Sequence, residues 1–263
     1  MTRSSLITLL TDFGSRDAFV GIMKGVMLGI NPSASFVDLS HDIPPQDILA
    51  GALALRSAAP FFPPGAIHVA VIDPGVGSTR RALLVETPTA FFIGPDNGLL
   101  SLAAPPSAVT RRIHLTNEEY FFLPRSRTFH GRDVFAPVAA HLSRGVSPKH
   151  FGKSTPTMKQ LTLPRVTSRA NSLAGNVIYI DHFGNAITNI TEDDLRPFSI
   201  ETLLVSMNTV QIRGLVPSYA AVKIGAPAAV INSWGLLEIA VRNGSAAQRF
   251  HLRIGHPIDL FFT

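Results

Sequence analysis

Residues 5–40 read SLITLLTDFGSRDAFVGIMKGVMLGINPSASFVDLS. SLITLLTDF is an apolar run of strand length, DAFVGIMKGVMLGI sets apolar residues near helical spacing, and SFVDLS returns to a short strand. Strand, helix and strand in that order predict a parallel pair joined by a crossover helix. Working outward, PQDILAGALALRSAAPFF at 45–62 predicts a second helix, with Pro45 and Asp47 suited to its start. AIHVAVID, ALLVETP and AFFIGP follow as three short strands separated by turn residues, and DVFAPVAAHLSRG predicts a helix ending at Gly145. Alternation of this kind implies an α/β domain over 1–155 whose largely parallel central sheet is covered on both faces.

The pattern changes near residue 153. STPTMKQLTLPRVTSRANSLAG is polar and proline-punctuated and reads as a connector. NVIYIDHF, LLVSMNTVQI, YAAVKI, AAVINS, LLEIAV and FHLRIGHPIDLFF then read as strands with hardly a helical stretch between them, which predicts a smaller all-β domain over 170–263. No internal repeat is visible.

Composition narrows the function classes. The chain has 263 residues, 46% of them hydrophobic and 16% charged, enough for a substantial core. Mean hydropathy is positive, yet Gly, Pro, His and Asp interrupt every apolar run before the roughly 20 residues a spanning helix needs. The N-terminal apolar run is too short for a signal peptide, so a cytoplasmic protein without membrane attachment is expected. There is no Cys, which removes disulfides, thiolate nucleophiles and cysteine metal sites together. The net charge of +5 comes from scattered Lys and Arg, densest in RSRTFHGR at 125–132, and no nucleic-acid motif accompanies it, so a solvated basic surface is expected and nucleic acid is not.

Asp12 ends one predicted strand in TDFG and Asp73 another in IDPG. Ligands of open α/β sheets bind outside the carboxyl ends of strands; Asp is equally at home capping a turn or helix, and position alone does not choose. The turn PGVG after Asp73 permits close backbone approach, but Ser78-Thr79-Arg80-Arg81 stands where a phosphate loop needs Gly-Lys-Ser/Thr, and a strand follows where a dinucleotide fingerprint needs a helix. Arg80 and Arg81 are adjacent, so only one can turn toward Asp73, and the other is expected to be a surface charge. His130 sits in TFHGRDVF ahead of a helix that Asp133 is placed to cap; an ordinary loop His reads the same way. Phe183-Gly184-Asn185 sets an aromatic face beside an amide, which suits either a purine or a tight turn. There is no H-E-x-x-H, no helical His pair and no G-x-S-x-G, so neither a zincin nor an α/β-hydrolase is expected.

Taken in order, LLTDFGSRDAFVGIMKG, DLSHDIPPQDI, VIDPGVGSTRR, FIGPDNGLL, TFHGRDVFAPVAAHL, IDHFGNAITNI and NSWGLLEIAV resemble the S-adenosylmethionine hydroxide adenosyltransferases, relatives of the bacterial fluorinase and chlorinase. The match runs through almost the whole chain, and the ordered set is far more specific than any one member. The resemblance implies hydrolysis of S-adenosylmethionine to adenosine and methionine without metal or organic cofactor, by a catalytic Asp73, Arg80 and His130, with Arg81 the spare. It implies that Asp12 binds the ribose hydroxyls, Asp181 the substrate ammonium, Phe183 and Asn185 the adenine end, and Ser233, Glu238 and the Val241 backbone the remainder. It also implies an α/β domain followed by a β-barrel-like domain, assembled as a homotrimer with each ligand between neighbouring subunits.

Departures from the halogenases bear on the choice of nucleophile. The resemblance sets His130-Gly131 against their Tyr-Ser pair and Val76 against a Thr, so two hydroxyls near the halide are gone and water is the expected nucleophile. A halide-using synthase and a non-catalytic sensor of adenosine or S-adenosylmethionine are the alternatives. Trp234 stands where the halogenases carry an Arg, which leaves the methionine carboxylate without an assigned partner.

Overall fold

The computed structural model describes residues 5–262, which divide between Leu161 and Thr162 into two compact units. In the first, β1 (Leu6–Thr11), α1 (Phe19–Ile30), β2 (Ser35–Ser40), α2 (Ile48–Ala58) and β3 (Ala66–Val71) alternate. They are followed by β4 (Ala82–Glu86), β5 (Ala90–Pro95), β6 (Arg111–Leu115), α3 (Ala136–Ser143) and β7 (Gly152–Ser154). The sheet order is β2-β1-β3-β5-β4-β6-β7. The first four of these run parallel, and β4, β6 and β7 extend the sheet antiparallel. The antiparallel part follows from loop length: a tight turn closed by Thr87 N–H to the Ala90 carbonyl (3.0 Å) joins β4 to β5, and a parallel return needs a far longer crossover.

Strand β3 is buried along its whole length, as a central strand covered on both faces must be. Ile67, Val69 and Val71 share one core cluster with Met23 and Met27 of α1 and with Val138, Ala139 and Leu142 of α3. Helix α2 contributes Leu53 and Leu55, fully buried outside that cluster, and its Gly51 lies where a Cβ would meet Ile72 and Leu99. Asp47 caps α2 by accepting from Ala50 N–H (2.9 Å).

The second unit holds β8 (Thr167–Arg169), β9 (Ser172–Ile180), β10 (Ala186–Thr191), the short α4 (Glu192–Leu195), β11 (Leu203–Met207) and β12 (Val210–Arg213). After these come β13 (Pro227–Ile231), β14 (Leu236–Val241), the short α5 (Ala246–Arg249) and β15 (Pro257–Phe262). All pairings are antiparallel along the path β12-β11-β15-β9-β10-β14-β13, with β8 on β9. Val216, just past β12, donates to the Ala229 carbonyl of β13 (2.9 Å), so the sheet nearly closes into a barrel. Among the described residues no helix is long and apolar enough to cross a membrane.

Three local expectations are corrected. YAAVKI is not a strand: Tyr219–Ala221 forms a single 3-10 turn, because the Arg242 guanidinium takes the Ala220 and Val222 carbonyls (3.1 and 2.7 Å) that a ladder would have used. The supposed connector contains β8, whose Thr167–Arg169 backbone finds partners on β9 despite its polar composition. FHLRIGHPIDLFF is a strand only from Pro257, since 250–256 is spent on the end of α5 and turns, including Arg253 carbonyl to His256 N–H (3.0 Å).

Candidate active site

Helix α1 carries the chain from β1 to β2 on one side, and α2 carries it back across to β3 on the other. The strand order therefore reverses between β1 and β3, the point at which open α/β sheets leave a crevice beyond their carboxyl ends. Asp12 follows β1 there, and Asp73 lies just past β3. Both line one cavity of about 430 Å³ with His130 and Gly131. The Asp12 carboxylate accepts the Gln46 N–H (2.8 Å), and the TDFG corner is fixed by Thr11 Oγ1 to His41 Nδ1 (2.9 Å) and Gly14 N–H to the His41 carbonyl (2.8 Å).

The glycine turn is two successive turns, Val76 N–H to the Asp73 carbonyl and Ser78 N–H to the Gly75 carbonyl, each 3.1 Å. Ser78 Oγ donates to the same Gly75 carbonyl (2.7 Å) and accepts from Arg80 N–H (3.2 Å), which aims Arg80 back at the strand end. Gly77 has φ +77, and a Cβ there would strike the Arg127 carbonyl. Arg80 Nε donates to Asp73 Oδ1 and Oδ2 (2.9 and 3.0 Å), and Nη2 also bonds Oδ2. With side chains only 7% and 6% exposed, this is a buried bidentate pair. Nη2 reaches His130 Nδ1 as well (2.7 Å), leaving Nη1 without a hydrogen bond among the described residues.

His130 is held by an unusual element. Gly131–Phe135 forms a π turn ahead of α3, closed by Ala136 N–H on the Gly131 carbonyl, and His130 stands at its start. Wide turns of this kind recur at functional sites. A guanidinium only donates, so His130 Nδ1 accepts and the neutral ring carries its proton on Nε2. Burial first, then the charges of Arg80 and Arg125, push the His130 pKa below its ordinary value against the opposite pull of Asp73 and Asp133. The ring is therefore neutral at physiological pH.

Two expectations about neighbours change. Arg81 is no free surface charge: its guanidinium holds Asp96, which follows β5, together with Thr155 Oγ1 (2.6 Å) and the Thr157 carbonyl (2.9 Å). Asp133 does not cap a helix end. Fully buried inside the π turn, it accepts from Ser126 N–H (2.7 Å) and from Arg132 Nε (2.6 Å), fastening the 125–127 loop beside His130. An aromatic wall not singled out from the sequence is also present: Phe13, Phe19 and Phe129 line the cavity with ring centroids 5.3–6.1 Å apart. Its only signal was the Phe in each of TDF, DAF and TFH.

In the second unit, the six residues given a binding role by the resemblance, and Trp234 with them, line two adjoining cavities. One, of about 430 Å³, has Asp181, Ser233, Trp234 and Glu238 in its wall; the other, of about 720 Å³, has Asp181, Phe183, Asn185 and Val241. Asp181 accepts from Asn185 N–H (2.8 Å) and Nδ2 (3.0 Å), shaping the loop that presents Phe183, 73% exposed, at its tip. Glu238 is 3% exposed, with both oxygens occupied by Tyr219 O–H (2.6 Å) and Asn232 Nδ2 (3.1 Å). Burial raises its pKa above the ordinary carboxylate value, opposed by those two bonds and reinforced by Asp181. Tyr219 lines both cavities and was missed because its segment was read as a strand.

Residues 7–152 match the SAM hydroxide adenosyltransferase N-terminal domain and residues 175–259 the corresponding C-terminal domain. The chain belongs to this family. It is 38% identical to the (R)-S-adenosyl-L-methionine hydrolase of Thermus thermophilus, over 97% of this chain and 98% of that one. It is 34% identical to the protein of that name from Salinispora tropica, over 94% of each. A fluorinase from Actinoplanes is more distant, 28% identical over 97% of both chains. The solved structure of an uncharacterized conserved protein from Thermotoga maritima superposes with a TM-score of 0.90 at 33% identity, covering 97% of this chain and 99% of that one.

Proposed function

We propose that this enzyme hydrolyses S-adenosyl-L-methionine to adenosine and L-methionine by in-line attack of water on the ribose C5′. The observation that carries the reading is the Asp73–Arg80–His130 cluster at the strand-order reversal, in a chain of this family. One C5′–O bond forms, the C5′–S bond breaks with its electron pair going to sulfur, and one water proton is released. A sulfonium and a hydroxide-like oxygen become neutral products, so removing their hydration in a dry crevice favours the transition state. Holding the water in line supplies a further share, up to roughly 7–11 kcal/mol in favourable cases.

The hydrogen bonds narrow the proton's destination. His130 Nδ1 is engaged by Arg80, so the ring offers the water only the Nε2–H donor. Asp73 lines the cavity, and a carboxylate has about four lone-pair sites, more than the three N–H contacts from Arg80 occupy. Asp73 is thus the acceptor of the water proton in this account, Arg80 stabilises the developing negative charge, and His130 orients the oxygen. Asp12 binds the ribose hydroxyls. In the second unit Asp181 faces the substrate ammonium, Phe183 and Asn185 the adenine end, and Ser233, Glu238 and the Val241 backbone the remainder. A cytoplasmic homotrimer completes the reading, supported by the family resemblance.

The curated relatives carry the (R) descriptor in their names, so both sulfur epimers belong in the assay. Purified protein is expected to convert the substrate to adenosine and methionine, and Arg80→Ala to lower kcat by about 10²–10³-fold, as loss of an oxyanion-stabilising donor does. Turnover undiminished in Arg80→Ala would reject the assignment.

A further inference from the structure

A second cavity of about 360 Å³ borders the same cluster and shares only His130 with the crevice. Arg80 lines it and not the crevice of Asp12 and Asp73; Asp73 lines the crevice and not the second cavity; His130 lines both. The Asp73–Arg80–His130 cluster is therefore the partition between two spaces. The crevice has the aromatic wall and the carboxylates that suit a nucleoside. The second space is lined by cations: Arg80, Arg125 and Arg127 border it, and Arg80 Nη1 makes no hydrogen bond among the described residues. No carboxylate is among the residues that line it; Arg80 and Arg125 are paired with Asp73 and Glu118 (3.6 Å) outside the lining, and Arg127 has no ion pair among the described residues.

We propose that this cavity is the entrance for the attacking water and a binding site for small monovalent anions, hydroxide among them, separate from the nucleoside crevice. This rests on the hydrolytic reading. In-line displacement puts the nucleophile opposite the leaving sulfur, and a bound nucleoside fills the crevice, so each new water needs another way in. A cationic space ending at Arg80 and His130 concentrates hydroxide-like species at that spot. Its inner wall includes Ala82 of β4, a small residue whose enlargement fills the cavity without touching the crevice.

Two measurements test this. In the first, thiocyanate binding to the wild-type chain is followed by calorimetry with and without saturating adenosine. The same affinity is expected in both, weakened at least about tenfold, or 1.4 kcal/mol, in the Arg125→Gln/Arg127→Gln double variant. Displacement of thiocyanate by adenosine, or wild-type affinity in the double variant, overturns the proposal whether or not the chain turns over substrate. In the second, Ala82→Leu is expected to lower kcat at least about tenfold while KM and the adenosine dissociation constant stay within about twofold. An undiminished kcat overturns the entrance. Should Ala82→Leu fail to bind adenosine, thiocyanate as an inhibitor of the wild type decides the point: it is expected to lower kcat without raising KM, and competition with the sulfonium substrate refutes the entrance. A wild-type chain that binds thiocyanate as stated yet forms no adenosine contradicts the hydrolytic reading alone.

Discussion

At the scale of single residues, the protonation of His130 decides whether the cluster holds together. Its Nδ1 can accept from Arg80 only while the ring is neutral, and burial with the Arg80 and Arg125 charges lowers its pKa below the ordinary 6.5. Activity is therefore expected to be full above pH 6.5 and to fall as pH drops through the lowered pKa, because the protonated ring turns an acceptor into a donor facing a guanidinium. His130→Asn retains an acceptor and a donor on one side chain. A pH profile of kcat for this variant should lose the acid limb while keeping activity above that of His130→Ala, and a persisting limb would place the titration on another group. Asp73, Arg80 and His130 were singled out only through the ordered resemblance to the family, since His130 in TFHGRD by itself reads as an ordinary loop His. The contacts made by Asp133, Arg81 and Tyr219 were not legible in the sequence, since their partners Ser126, Thr155 and Glu238 lie seven to seventy-four positions away.

Among the elements, the turn between β3 and β4 is the one on which the site depends. Its glycines serve geometry and not phosphate: Gly77 takes φ +77 with the Arg127 carbonyl against it, and Ser78 ties Arg80 to the turn. Gly77→Ala meets both a disfavoured backbone conformation and that carbonyl, so a loss of about 1–3 kcal/mol in stability is expected. A larger proportional loss in kcat than in adenosine affinity should accompany it, because Arg80 moves while Asp12 does not. Urea denaturation with parallel kinetics checks this, and a variant with unchanged stability would contradict the stated geometry. The strand and helix alternation of β1 to β3 was legible because apolar periodicity is local. The 3-10 turn at Tyr219–Ala221 was not, because Arg242, about twenty positions on, satisfies its carbonyls.

Across the whole molecule, two architectures divide the chemistry. The α/β unit supplies strand ends, and with them carboxylates at a reversal of strand order; the nearly closed antiparallel unit supplies two cavities that share Asp181 and Tyr219, one of them lined also by Glu238. Membership of the SAM hydroxide adenosyltransferase family and the arrangement of Asp73, Arg80 and His130 support one central claim, that water attacks C5′ of the substrate ribose. Turnover in ¹⁸O-labelled water followed by mass spectrometry of both products tests it most directly. The account predicts one labelled oxygen in adenosine, at the 5′ position, and unlabelled methionine; adenosine without label would contradict it.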